Sequence, residues 1–258
     1  MILISFVEIV NGVTMFENVY YVIVHRDSDE KRTRNLIYTC KYIRSLGLNV
    51  LVIEQDTEKK IELLCKSLDV EYAFIKNSGL FNRAWGFNCF RNFIKSDKVF
   101  LADNDIILDK DVIYNTIKLL DTYDVVRPFN GVVSYYDESA TDKLFKTNER
   151  TLDKQFKLVN IFNLSGGICA FRTDSFYNKL GGFDERFEGW GGEDDEMHKH
   201  ILQLGLDVFS FTSVGIHMNH ERNHNEGNWQ PNYNKNLVYI NDNKRNENIS
   251  IGNINRYE

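Results

Sequence analysis

The chain has 258 residues, 43% of them hydrophobic, which suits one sizeable α/β core better than two small domains. Its 31 basic and 37 acidic residues give a formal net charge of −6, which argues against a nucleic-acid partner held through its phosphates. The four cysteines, Cys40, Cys65, Cys89 and Cys169, are far apart and form no Cys-x-x-Cys pair. They read as reduced core residues of a cytoplasmic protein rather than a disulfide frame.

Residues 1–15 open with MILISFVEIV, apolar but short, without a basic start and interrupted by Glu8. This is an extension or an extra strand, neither a signal peptide nor a transmembrane segment. From Val19 to Val24 a β-rich run breaks at His25-Arg26-Asp27, and a helical pattern follows from Asp29 to Leu46. Strand-like 49–53, helical 57–67 and strand-like 71–75 continue the alternation, which indicates βαβ units and a largely parallel sheet. Residues 82–94 read as a helix with Phe87, Phe90 and Phe93 inward. The apolar strand 98–102 ends abruptly in Asp103-Asn104-Asp105. A helix over 111–120 and a strand over 125–129 come next, then a polar stretch from Tyr135 to Lys157 without period, read as a long loop near a site. Strand 168–171, a short helix over 173–180, the helix ending at Leu204 and strand 207–211 complete the main domain, residues 16–232. The Asn-rich residues 233–258 are expected to be poorly ordered.

Three clusters carry chemistry. In GGFDERFEGWGGEDDEM (181–197) a Gly-Trp-Gly-Gly hinge stands directly before Glu193, Asp194, Asp195 and Glu196. Acids in a first helical turn complement the helix dipole without any function. After an aromatic clasped by glycines they also read as a mobile segment carrying a catalytic carboxylate. Asp103 and Asp105 are two apart, so in extended chain they point the same way at the carboxyl end of a buried strand, where α/β sheets bind ligands. A polar turn has the same composition, but two carboxylates forced together repel, and a divalent cation relieves that. His217 and His220 follow the last strand, with His224 four further on, and imidazole with carboxylate suits Mn²⁺ better than Ca²⁺. Arg26 and the Arg83 of Phe81-Asn82-Arg83-Ala84 sit at element ends that suit an anionic or planar ligand, or are ordinary surface charges. Gly166-Gly167, after Ser165, lets a ligand approach the backbone closely.

In this order, a strand ending in Arg, then FNRA, D-x-D, Gly-Gly, WGGEDD and a late His, the chain resembles the β-1,4-galactosyltransferase family of inverting nucleotide-sugar transferases over roughly residues 22–225. The resemblance implies an α/β GT-A fold, a single Rossmann-like mixed sheet flanked by helices. It implies a metal-dependent transfer of a hexose or N-acetylhexosamine from a UDP-sugar to a glycan acceptor. Mn²⁺ would be held by Asp105 and His220, with His217 where the family often has methionine. Arg26, Phe81, Arg83 and Asp103 would hold the UDP, and Trp190 would cover the site. Asp194 would be the catalytic base, with Glu193 and Asp195 at the acceptor. Leu164 stands where galactose-transferring members have Tyr, beside the donor sugar with Gly166 and Gly167. Glu188 replaces the first tryptophan of the family's lid. Related polypeptide N-acetylgalactosaminyltransferases carry WGGEN, so Asp194 points to inversion rather than retention. A glycoside hydrolase needs neither the D-x-D site nor FNRA, whereas a metal-dependent sugar-binding module without turnover would show the same motifs.

Overall fold

The computed structural model describes residues 7–10, 13–150, 156–158, 166–189, 191–221, 229–242 and 244–257. The apolar runs become strands in the expected places. Val7–Val10 (β1) and Val13–His25 (β2) pair antiparallel. Glu30–Ser45 (α1) leads to Leu48–Asp56 (β3), Glu62–Ser67 (α2) to Glu71–Lys76 (β4), and Arg83–Asn88 (α3) to Lys98–Ala102 (β5). Ile106–Ile107 (β6), Lys110–Leu119 (α4), Val125–Arg127 (β7), Val132–Tyr135 (β8), Glu138–Thr147 (α5), Phe156–Leu158 (β9) and Ile168–Arg172 (β10) follow. Glu193–Leu204 (α6), Val208–Ser210 (β11), Gly215–His217 (β12) and Trp229–Asn241 (α7) complete the elements.

The large sheet runs β11-β7-β10-β5-β2-β3-β4, with β1 added beside β2, eight strands in all. β2 is parallel to β3 and β5, and β3 to β4, whereas β10 lies antiparallel between β5 and β7. Because the central strands are covered on both faces, alternate residues of β2 serve different cores. Tyr21 and Ile23 join Leu36, Ile43, Phe100, Ile113 and Ile117 on one side, where α1 and α4 pack. Val22 and Val24 join Trp85, Phe87, Phe90, Phe171 and Phe176 on the other. Each such fully buried large side chain contributes roughly 1.5–3 kcal/mol. Phe93, expected inward with Phe87 and Phe90, is instead 36% exposed, because α3 ends at Asn88 and a 3₁₀ turn over Cys89–Asn92 rotates the chain. All four cysteines are buried, and none forms a disulfide among the described residues.

A second sheet, β6-β12-β8-β9, stands beside the large one. Its strands are two to four residues long, too short to leave a period in the sequence.

Two stretches differ from expectation. The supposed loop 135–157 contains the ten-residue α5, whose first turn is capped by Asp137 Oδ1 accepting from Ala140 N–H at 2.8 Å. Only Thr141 and Leu144 of α5 are buried, so the apolar stripe is too sparse to read. The segment 233–258, expected to be poorly ordered, holds most of α7 and then threads turns against the core. Arg245 donates to Glu196 Oε1 at 2.8 Å and Leu180 O at 2.6 Å, and Trp85 Nε1 donates to Asn253 O at 2.8 Å. Composition missed this because amide and guanidinium hydrogen bonds, rather than apolar burial, fasten it.

Candidate active site

β5 is buried along its whole length, so the chain leaves the core at Asp103 on the carboxyl edge of the parallel strands. β10 crosses there: the Asp103 N–H donates to Gly167 O at 2.7 Å. Gly167 has a φ of +99°, which favours glycine, and a Cβ there would also stand 2.1 Å from the Ile106 Cδ1 methyl. β6 then pairs with β12 so that His217 lies opposite Ile106, and Met218 N–H donates to Asp105 O at 2.8 Å. That register delivers both histidines. His220 Nε2 lies 3.0 Å from Asp105 Oδ2, and one ligand atom from each of Asp105, His217 and His220 falls within 4.8 Å of the others.

These three residues fit a divalent ion. His220 Nδ1 is 2.8 Å from Glu221 O; as an N–H donor there it leaves Nε2 towards Asp105. His217 Nδ1 is buried without a hydrogen-bond partner among the described residues. Burial pushes the Asp105 carboxyl up, but His217 and His220 outweigh it and hold the group well below the usual carboxylate range. Burial lowers His217, whereas for His220 the Asp105 carboxylate overcomes burial and raises it. One carboxylate with two imidazoles suits Mn²⁺ or a similar borderline ion.

Asp103 does not converge with Asp105 on this cluster; it turns to Arg83. α3 is anchored by Asn82, whose Oδ1 accepts from Trp85 N–H at 2.8 Å and whose O accepts from Gln55 Nε2 at 2.9 Å. From there Arg83 Nε donates to Asp103 Oδ1 at 2.7 Å and Nη1 to Asp194 Oδ1 at 3.0 Å, with Glu193 Oε1 at 3.5 Å. The guanidinium also lies 4.7 Å from the centre of the Phe87 ring. Three acids from two distant motifs therefore share one cation. Burial, reinforced by Asp105 and Asp194 and opposed by Arg83, pushes Asp103 up to about 6. Burial and the Asp194 charge push Glu193 up to about 7.

α6 begins where the hinge ends, with Gly189, Gly191 and Gly192 all at positive φ. Asp194 Oδ2 faces Gly166, where an added Cβ would come within 3.2 Å, and accepts no hydrogen bond among the described residues. Tyr233 donates to Asp195 Oδ2 at 3.0 Å; burial nevertheless raises that carboxyl. Trp190, Leu164 and His224 lie outside the described residues.

Arg26 lies at the edge of the same region, beside the Phe81 ring at 5.7 Å. It donates to Gln55 O at 2.8 Å, Gly79 O at 2.9 Å and Asn77 O at 3.2 Å, bracing the turn before α3. Sequence reasoning overlooked the supports of the site. Asn104 is buried, its Nδ2 3.1 Å from both His25 Nδ1 and Arg32 O, and its own O accepts from Thr39 Oγ1 at 2.8 Å. Asn236 Nδ2 donates to Gly191 O at 2.8 Å. No local pattern marks such partners, which meet only through the fold.

The architecture is that of the GT-A class. Glucosyl-3-phosphoglycerate synthase from Mycobacterium tuberculosis, 14% identical, matches with a TM-score of 0.55 over 86% of this chain and 79% of that one. Residues 150–224 match the family model described as the N-terminal domain of galactosyltransferase. Chondroitin sulfate N-acetylgalactosaminyltransferase 1 of Mus musculus is 30% identical over 161 residues, 58% of this chain and 29% of that protein. β-1,4-Galactosyltransferase 5 of Homo sapiens is 32% identical over 75 residues, 29% of this chain and 18% of that protein. The chain thus spans well under half the length of these relatives. The matches bear out the likeness to the β-1,4-galactosyltransferase family with its GT-A fold. Among the described residues no helix is long and apolar enough to cross a membrane.

Proposed function

We propose that this chain is an inverting glycosyltransferase that moves galactose or N-acetylgalactosamine from a UDP-sugar to a glycan hydroxyl with the help of Mn²⁺. The observation that carries this reading is Arg83 joining Asp103 of the D-x-D turn to Glu193 and Asp194 of α6, next to the Asp105/His217/His220 cluster. It brings a donor-side group and a candidate base to one edge of the sheet. The relatives' names supply the two donor sugars, and the GT-A neighbour was solved with Mn²⁺ and UDP.

Asp105, His217 and His220 would hold the metal, which when bound supplies Lewis-acid compensation for the charge growing on the departing diphosphate. Arg26, Phe81, Arg83 and Asp103 would line the UDP, and Leu164, Gly166 and Gly167 the donor sugar. Trp190, Glu193 and Asp195 would meet the acceptor. Asp194, held through Oδ1 by Arg83, keeps Oδ2 for the acceptor hydroxyl. As that oxygen bonds to the anomeric carbon, its proton passes to Asp194 and the bond to the diphosphate breaks on the opposite face. Positioned general-base help of this kind contributes typically 10²–10⁴-fold. Closure over the glycine hinge would exclude the water that hydrolyses a donor. The four buried cysteines, read as thiols, fit a reducing, cytoplasmic setting.

The test is UDP release from UDP-galactose and UDP-N-acetylgalactosamine with a panel of glycan acceptors, with and without Mn²⁺. Release that needs both metal and acceptor, with inverted product, supports the proposal. Donor binding without release would indicate a sugar-binding module, acceptor-free release a hydrolase, and a retained anomer a retaining transferase.

A further inference from the structure

The segment after α7 is fastened almost wholly to the loop before the hinge and to α3. Glu185, fully buried, accepts from Gly252 N–H at 2.6 Å and Arg256 Nη1 at 3.0 Å, and its own N–H donates to Asn246 Oδ1 at 2.9 Å. The strap ends at Tyr257, whose ring packs edge-on against Trp85 with centroids 4.9 Å apart. Its hydroxyl accepts from Asn82 Nδ2 at 3.1 Å and donates to Glu188 Oε1 at 2.7 Å. Asn82 immediately precedes Arg83, and Glu188 immediately precedes Gly189, whose N–H donates to Phe81 O at 2.8 Å. One hydroxyl therefore joins the residue before the donor-side arginine to the residue before the hinge.

We propose that Tyr257 is a positioning residue for the glycine hinge, holding Glu188 against Asn82 so that α6 presents Asp194 to the acceptor; this rests on the transferase reading above. The two ends of the bridge are held unequally. Asn82 has other anchors: Gln55 Oε1 accepts from its N–H at 2.6 Å, and its Nδ2 also donates to Glu185 O at 2.9 Å. Glu188 has no other hydrogen bond among the described residues. Loss of the hydroxyl therefore leaves the hinge side held here by the Gly189–Phe81 backbone bond alone, and leaves α3 and Arg83 in place.

Tyr257→Phe keeps the ring on Trp85 and removes only the hydroxyl. The expected result is an acceptor kcat/KM lower by about tenfold, the size of one charge-assisted hydrogen bond, with UDP affinity in Mn²⁺ unchanged. Glu188→Ala should reproduce this, Glu188→Gln should restore most of it because its amide oxygen still accepts, and Tyr257→Phe/Glu188→Ala should be no worse than either alone. Hydrogen exchange at the Gly189 amide should quicken in Tyr257→Phe. Equal losses of donor affinity and acceptor kinetics, or fully additive substitutions, would overturn the proposal in favour of a general stability role. If the native chain transfers to no acceptor, the transferase reading fails separately, and the exchange measurement decides the bridge: an unchanged Gly189 rate refutes it.

Discussion

Replacing Arg83 with Met removes the single cation that Asp103, Glu193 and Asp194 share. The methionine fills much of the space over Phe87, so the loss is chiefly electrostatic. Removing one partner of a buried ion pair costs about 3–5 kcal/mol, because the remaining charge is left uncompensated. Here the Asp103 and Asp194 side chains keep 37% and 27% exposure, so water screens part of that loss. A cost of roughly 2–3 kcal/mol is the consistent figure, and in a chain of this length it lowers Tm by about 4–12 °C. The sign of the pH dependence follows from Arg83 opposing the raised carboxyls. The share of its stabilisation that comes from Glu193 and Asp103 is present where they are ionised and fades as pH falls through about 7 and about 6, where they take up protons, leaving the Asp194 pair. Thermal unfolding of both proteins in EDTA at pH 8 and pH 5.5 should therefore show a larger gap in Tm at the higher pH and a smaller one, kept by the Asp194 pair, at the lower. A gap that is absent, or equal at both pH values, refutes the shared-cation account.

Asp194→Asn should cut transfer by roughly 10²–10⁴-fold while UDP binding stays nearly intact, since the Asn Oδ1 can still accept from Arg83; a near-normal rate would remove Asp194 as base. His220→Ala should lose Mn²⁺-dependent UDP affinity by more than the roughly 10–100-fold that outer-shell changes cost, and His217→Ala should do so less severely, both read by calorimetry with and without Mn²⁺. Unchanged metal dependence in His220→Ala would dismiss that ligand. Leu164, smaller than Tyr and without a hydroxyl, should leave room for an N-acetyl group, so UDP-N-acetylgalactosamine should be used at least as well as UDP-galactose. Leu164→Tyr should shift the kcat/KM ratio towards galactose by roughly 10-fold or more, and a native chain strongly preferring UDP-galactose would sink this assignment.

The parallel core was legible because β3 and β5 are buried nearly end to end and carry the apolar runs over residues 50–53 and 99–102. α6 was legible from its glycines and acids, and its start at Glu193 follows the hinge directly. α5 was not, because two buried residues in ten make no stripe. The strap was not, because asparagine, arginine and glutamate predict a solvated tail unless specific partners are known. Within the site, motif order picked out Asp105, His217, His220, Arg83 and Asp194. It could not show that Asp103 would turn to Arg83 rather than share a ligand with Asp105, since that depends on what flanks the turn on each side.

That divergence has a structural cause. Asp103 closes the large sheet, its N–H tied to Gly167 of the turn before β10, whereas Asp105 opens the small sheet, its O tied to Met218 beyond β12. Asn104 occupies the seam and is fixed from three directions by His25, Arg32 and Thr39, so the turn cannot rotate to bring both carboxylates to one side. Burial lowers His25 to about 4, which keeps its ring neutral, so that Nδ1 can accept from the Asn104 amide throughout the physiological range. The two sheets thus assign the two carboxylates different partners, a guanidinium on one side and two imidazoles on the other. On the transferase reading proposed above, such a division would let a diphosphate lie between a metal and a base: were both aspartates to chelate one ion, Arg83 would be left with the acids of α6 alone, and its bond to Asp103, which ties the D-x-D turn to the helix that carries Asp194, would be lost.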